Sequence, residues 1–177
     1  MRKSRSFKGS YKLVFDTSTL IILMELDILD YLRKSIQRSL IDIVIPNGVR
    51  EELRRGGREL NLPYTDVDIN EKDLEKINDI PRSLGRGEFE VIATAYIWRE
   101  HSNIIVVSDD KKARSTCERL NLNCFGTLGL LEFLKKNRVI TKEEAISILN
   151  KIPETSLYIK RDLLDMTREK ILHQSDG

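Results

Sequence analysis

The chain has 177 residues, of which 33% are charged and 40% hydrophobic, and its 30 basic and 28 acidic side chains nearly cancel to a net charge of +2. That length suits one domain with one core and requires neither disulfides nor a structural metal, and the composition excludes a disordered chain. The most apolar run near the start, residues 20–26, is far too short for a bilayer and contains Glu25, so no membrane span is expected.

Residues 1–10 are polar and basic and read as a mobile tail preceding a single domain over 11–175. No apolar stretch follows the basic residues as a signal peptide would require, so a cytoplasmic location is expected. Residues 13–15 form a short apolar run that stops at Asp16 and is followed by Thr17, Ser18 and Thr19, the pattern of strand, turn and helix. Residues 41–45 repeat it, ending at Pro46, Asn47 and Gly48, after which Val49 and Leu53 share one helix face. Arg54, Arg55, Gly56, Gly57 and Arg58 read as a flexible loop. Residues 64–69 suggest a further short strand, 85–98 a long helix, 104–107 a strand ending at Ser108, Asp109 and Asp110, and 123–125 a last strand. Three helical stretches follow, at 128–134, 145–149 and 157–172. Alternation of strands and helices predicts a three-layer α/β/α fold with a central parallel sheet of about four to five strands and a helical C-terminal region. Cys117 and Cys124 fit neither a CxxC motif nor a zinc site, and His101 and His173 are isolated, so structural or surface roles are expected for all four.

In open parallel sheets ligands bind beyond the carboxyl ends of the strands, and here those ends are acidic. Asp16 closes the first strand, Asp109 and Asp110 close a later one, and Glu51 and Glu52 lie early in the helix after another. At about 100° per residue, Glu52 sits roughly 60° from the buried Val49 and Glu51 roughly 160° away, so Glu52 leans inward. In the long helix the stripe of Phe89, Ile92, Ala93, Tyr96 and Ile97 is flanked by both Glu88 and Glu90, and periodicity does not choose between them. Each acid alone has a structural explanation: Asp16 and Asp109 as helix N-caps, Glu88 as a complement to the helix dipole. Together they do not, because unit charges about 4 Å apart repel by about 4 kcal/mol at an effective dielectric near 20. A divalent cation resolves that repulsion, and oxygen-only ligands suit Mg²⁺ or Mn²⁺ better than zinc.

Five segments carry a family resemblance: Val14-Phe15-Asp16-Thr17-Ser18, the run from Ile45 to Leu53, Gly87-Glu88-Phe89-Glu90-Val91-Ile92-Ala93, the run from Val107 to Arg114, and Gly126-Thr127-Leu128-Gly129-Leu130-Leu131. In this order they resemble the PIN-domain ribonucleases, in particular the prokaryotic group related to the VapC-type toxins of toxin–antitoxin pairs. The resemblance implies that Asp16, Glu52, Glu88 and Asp109 form the catalytic acidic set. Asp16, Asp109, Glu88 and Asp110 are then the candidate ligands of Mg²⁺ or Mn²⁺. Asp109 is placed first as the fourth acid and Asp110 as its rival or partner. Ser18 and Ser108 would support the carboxylates. The implied reaction is hydrolysis of RNA phosphodiester bonds by metal-activated water. Association as a homodimer is a further implication, as is a small antitoxin partner if the chain is a toxin.

RNA phosphates need cations beyond the metal. Candidates are Arg54, Arg55 and Arg58, Arg82 and Arg86, Lys111, Lys112 and Arg114, and in the tail Arg2, Lys3, Arg5 and Lys8. No aromatic stacking platform stands out. Gly85-Arg86-Gly87 reads as a helix-start turn, and Gly126-Thr127-Leu128-Gly129 as a strand-to-helix turn capped by Thr127. A Mg²⁺-dependent phosphoryl-transfer protein is the nearest alternative, but the dehalogenase pattern wants a second Asp where Ser18 stands. A non-catalytic PIN-like module that binds RNA or protein is the third reading.

Overall fold

The computed structural model describes residues 10–74, 77–81, 83–100 and 103–173. Arg82, His101 and the tail cations Arg2, Lys3, Arg5 and Lys8 lie outside the described residues. The first half of the chain runs β1 (Tyr11–Phe15), α1 (Thr17–Glu25), α2 (Leu29–Gln37), β2 (Ile41–Pro46), α3 (Asn47–Arg55), β3 (Thr65–Val67), α4 (Glu71–Leu74) and α5 (Arg86–Trp98). The second half runs β4 (Ile104–Val107), α6 (Lys111–Arg119), β5 (Cys124–Phe125), α7 (Thr127–Lys136), α8 (Lys142–Lys151) and α9 (Arg161–His173).

The five strands make one sheet in the order β3-β2-β1-β4-β5, with every pairing parallel. Parallel central strands must be covered on both faces, and they are: Leu13, Val14 and Phe15 of β1 and all four residues of β4 are buried. The expected three-layer α/β/α architecture is therefore the observed one. Its registers, Phe15 opposite Val107 and Val14 opposite Val44, bring the carboxyl ends of β1, β2 and β4 to one edge. Leu20 and Leu23 of α1 are fully buried in the core, and burial of side chains of this size is worth about 1.5–3 kcal/mol each.

Five helices, α1, α2, α3, α6 and α7, end alike. The residue after the cap is left-handed, and the next amide donates to the carbonyl five residues back, as Ile28 does to Leu23 and Val139 to Leu134. Only α3 uses glycine at that position, Gly57 at φ +65°; the others use Asp27, Ser39, Asn121 and Arg138. Arg54 and Arg55 thus belong to the last turn of α3, and the expected loop is shortened to its Gly56-Gly57 stop. The 157–172 stretch is corrected too, since helix α9 begins only at Arg161. Helices α2, α4 and α6 add to those read from the sequence, where only Asp109 as a possible N-cap hinted at α6.

Candidate metal centre

Asp16 stands one residue past β1, only 2% exposed, at the N-cap of α1. Its Oδ1 accepts the Thr19 amide at 2.7 Å and the Ser18 hydroxyl at 3.1 Å, and its Oδ2 accepts the Ser108 hydroxyl. Both serines singled out in the sequence therefore reach this one carboxylate. Ser108 also accepts the Asp110 amide at 3.2 Å, so it links the ends of β1 and β4. Burial pushes the Asp16 carboxyl above the usual carboxylate range, against the opposing pull of Ser108, Thr19 and Ser18.

Helical phase separates the two glutamates of α3 as expected. Glu52 turns inward and accepts the Thr17 hydroxyl at 2.5 Å and the Gly87 amide at 3.2 Å. Glu51 turns outward to Arg86 at 2.8 Å and Arg55 at 3.3 Å. Gly87 is required for this approach, because a Cβ there would lie 2.7 Å from Glu52 Oε2.

Three-dimensional packing separates Glu88 from Glu90, which periodicity could not. Glu88 shares a cleft of about 260 Å³ with Asp16, Ser18 and Glu52. Burial pushes its carboxyl up, the Gly85 amide at 3.2 Å opposes, and the neighbouring charges of Asp110, Asp16 and Glu52 push it up further. Glu90 is instead a structural acid. It is buried between α3 and α5, where it accepts the Gly48 amide at 2.6 Å and Arg86 Nε at 2.9 Å. Arg86, bridging Glu51 and Glu90, is engaged by protein carboxylates rather than left for a phosphate.

The Asp109–Asp110 pair divides its work. Asp110, not Asp109, is the N-cap of α6, accepting the Ala113 amide at 2.8 Å, and its charge is the one felt by Glu88. Asp109 points to α7: its Oδ1 accepts the Thr127 amide at 2.9 Å and its Oδ2 the Thr127 hydroxyl at 2.6 Å. Thr19 closes the bracket by accepting the Asp109 amide at 3.1 Å. Gly126 must lack a side chain here, since a Cβ would fall 2.2 Å from Asp109 Oδ1. Gly126 rather than Thr127 occupies the N-cap of α7, so the Thr127 hydroxyl serves Asp109 instead of the helix. Thr17 and Thr19 were missed in the sequence because short hydroxyls after a strand read simply as a helix start.

Lys111, Lys112 and Arg114 lie exposed on the first turns of α6, directly beyond Asp110. Arg54 and Arg58 line a separate hollow with Arg50 and Tyr64, where Arg50 is paired with Asp66 and Asp68. Cys117 and Cys124 are in hydrogen-bonding contact, which with burial pushes the Cys117 thiol up.

Among the described residues, no three His, Cys, Asp or Glu side chains lie close enough together to enclose a metal ion. Each carboxylate is held instead by an amide or hydroxyl of its own neighbourhood. The donor set nevertheless fits a hard divalent cation in kind: oxygen only, drawn from the ends of β1 and β4 and from α3 and α5, with burial and then neighbouring negative charge raising Glu88.

A parallel sheet with carboxylates gathered at the ends of its central strands is the architecture of a PIN domain, a class whose members are in general nucleases. The sequence matches the model of DUF3368, a family described as a PIN domain, over residues 12–173, and the chain belongs to that family. Among solved structures, it resembles the PIN domain endonuclease Utp24 at 10% identity and a TM-score of 0.45, covering 66% of this chain and 85% of that one. No curated protein matches the sequence. No helix among the described residues is long and apolar enough to cross a membrane.

Proposed function

We propose that this protein is a metal-dependent endoribonuclease. The observation that carries the proposal is the shared cleft of Asp16, Glu52 and Glu88, in which burial first, and then like charge from Asp110, Asp16 and Glu52, push the Glu88 carboxyl up. Asp16, Glu88 and Asp110 are the groups that would hold Mg²⁺ or Mn²⁺, with Glu52 joining directly or through water. The geometry favours Asp110 over Asp109 for this role, because Asp109 is bound on both oxygens by Thr127. A cation bound there would acidify a water and stabilise charge on the phosphate oxygens. Ser108 and Ser18 keep the Asp16 carboxylate oriented, and Gly87 leaves the space in which Glu52 sits.

The test is incubation of purified protein with a pool of structured RNAs in Mg²⁺, in Mn²⁺ and in chelator. Cleavage in metal and none in chelator is expected. No cleavage under any condition, with no metal binding by calorimetry, would sink the proposal in favour of a non-catalytic PIN module. The toxin of a toxin–antitoxin pair is the finer form of this reading, and a small co-purifying protein encoded immediately upstream is the observation that would carry it.

Gly87→Ala offers a check on Glu52. Alanine in α5 is as good or better for the helix than glycine, by up to about 1 kcal/mol, and the Glu52 carboxylate is the end of a flexible side chain that can yield. Unfolding by urea should therefore show unchanged or higher stability, while the RNA cleavage rate falls about tenfold or more as Glu52 loses Thr17 and the Gly87 amide. Equal cleavage rates would remove Glu52 from the site.

A further inference from the structure

Beyond the acidic rim, a groove of about 520 Å³ runs between the β5–α7 turn and the segment leading into α9. Its floor is apolar, with Phe125, Leu128 and Leu157, and its wall includes Asp109, so it opens next to the acidic rim. On its lip stands Tyr158, 87% exposed, the most exposed large hydrophobic side chain among the described residues. Leu163, 46% exposed, lines the same groove, so the exposed apolar surface there is more than one isolated side chain. The segment that presents Tyr158 is anchored: the Ser156 amide and hydroxyl both donate to Glu25 on α1 at 2.9 Å. Tyr158 is therefore offered on a fixed mount.

Charge decides what covers it. The groove is lined by Lys111, Arg114, Lys160 and Lys170 against two carboxylates, Asp109 and Glu132. Lys170 is paired with Glu132 at 3.5 Å, and Asp109 is engaged by Thr127. Among the described residues, Lys111, Arg114 and Lys160 make no salt bridge. An apolar cleft with an exposed ring and three unneutralised cations matches the combination that holds single strands, in which cations follow the phosphates and an aromatic face stacks a base. A protein partner would need acidic groups to answer the same cations, whereas every nucleotide brings both a phosphate and a ring.

Resting on the ribonuclease reading of the adjacent site, we infer that this groove binds single-stranded RNA beside the scissile phosphate. Tyr158 stacks one base there, and Lys111, Arg114 and Lys160 meet the backbone. Tyr158 is thus a stacking platform that the linear sequence does not reveal.

Binding of a fluorescein-labelled oligouridine, too short to fold, is measured by anisotropy in chelator, so that neither metal nor cleavage enters. Tyr158→Ala is expected to weaken binding about 5- to 100-fold, the range for loss of one stacked base. Tyr158→Phe should bind like the parent and Tyr158→Leu as weakly as the alanine variant, since only the ring face stacks. Lys111→Ala should flatten the dependence of log affinity on log salt by about 0.7, one phosphate contact on a single strand. Because Tyr158 is exposed, these variants leave the core untouched. Parental affinity in Tyr158→Ala, recovery by Tyr158→Leu, or failure of the parent protein to bind would each overturn the inference. So would a change of mass in sedimentation on Tyr158→Ala with RNA affinity intact, which would assign the groove to a second copy of the chain. Metal-dependent cleavage with Tyr158-independent binding would leave the nuclease and remove the groove, and Tyr158-dependent binding without cleavage would do the reverse.

Discussion

Asp16→Asn is expected to lower RNA cleavage by more than about a hundredfold, because loss of even an outer-shell partner of a metal ligand costs about 10- to 100-fold. The same substitution is expected to make the protein more stable. Asn is as good an N-cap as Asp, so the Thr19 amide keeps its acceptor. Ser108 can rotate its hydroxyl to accept from the new amide while the charge leaves a buried site. Relief of this kind is worth about 0.5–2 kcal/mol, or a few degrees in the melting temperature. The pH dependence fixes the sign. The Asp16 carboxyl is raised by burial, so the folded chain holds its proton through a window in which the unfolded chain, with a carboxyl near 3.9, has released it. Its contribution to stability is fully present below that unfolded value and is lost as pH rises through the raised folded value. Thermal melts over a pH series should show this decline in the parent and a reduced one in Asp16→Asn, where Glu88 remains as the other raised carboxyl. A variant less stable than the parent at neutral pH would mean that Asp16 contributes more as an ionised bracket than it costs as a buried charge.

The second large effect separates the neighbouring aspartates. Asp109→Ala removes the acceptor for the Thr127 amide and hydroxyl, and hydrogen bonds to a charged group are worth about 1.5–3 kcal/mol each. A loss of about 2–4 kcal/mol in urea unfolding is expected, since partial solvation of the freed groups recovers some of it. Asp110→Asn keeps the N-cap of α6 and should leave stability within about 0.5 kcal/mol, yet it removes a charge facing Glu88 and should cut cleavage about tenfold or more. The reverse pattern, a stable inactive Asp109→Asn beside a fully active Asp110→Asn, would return the fourth acid to Asp109.

Much of this organisation was legible in the chain because its cues are local. Apolar runs stopping at Asp16, at Pro46 and at Ser108 mark the ends of β1, β2 and β4, and a parallel sheet turns strand ends into a site edge. Glu51 and Glu52 could be told apart because a single helix phase decides them. Glu88 and Glu90 could not, because Glu90 is taken up by Gly48 on another helix, a contact that no spacing within α5 encodes. Helix α6 was hinted at only by a possible cap at Asp109, since its buried face holds only Ala113, Thr116 and Cys117, too little apolar surface to show a period. Helix α2 opens without a side-chain cap, and four of the five left-handed helix ends carry Asp, Ser, Asn or Arg where glycine would have announced them. The groove at Tyr158 was invisible for a further reason: Lys111, Phe125 and Tyr158 meet only through the packing of α9 on α7 and α8.

The strand order has a consequence for the life of the molecule. β1 lies at the centre of the sheet but is made first, and its carboxyl-end partner Ser108 follows Asp16 by 92 residues. At roughly 5–20 residues per second, about 5–20 s of translation separate the two. Throughout that interval the growing chain has Asp16 but neither the strand that holds it nor the Asp110 opposite, so the acidic edge has no existence on the ribosome until β4 emerges. A protein whose proposed target is RNA is thereby made, next to abundant RNA, in a form that lacks its own site.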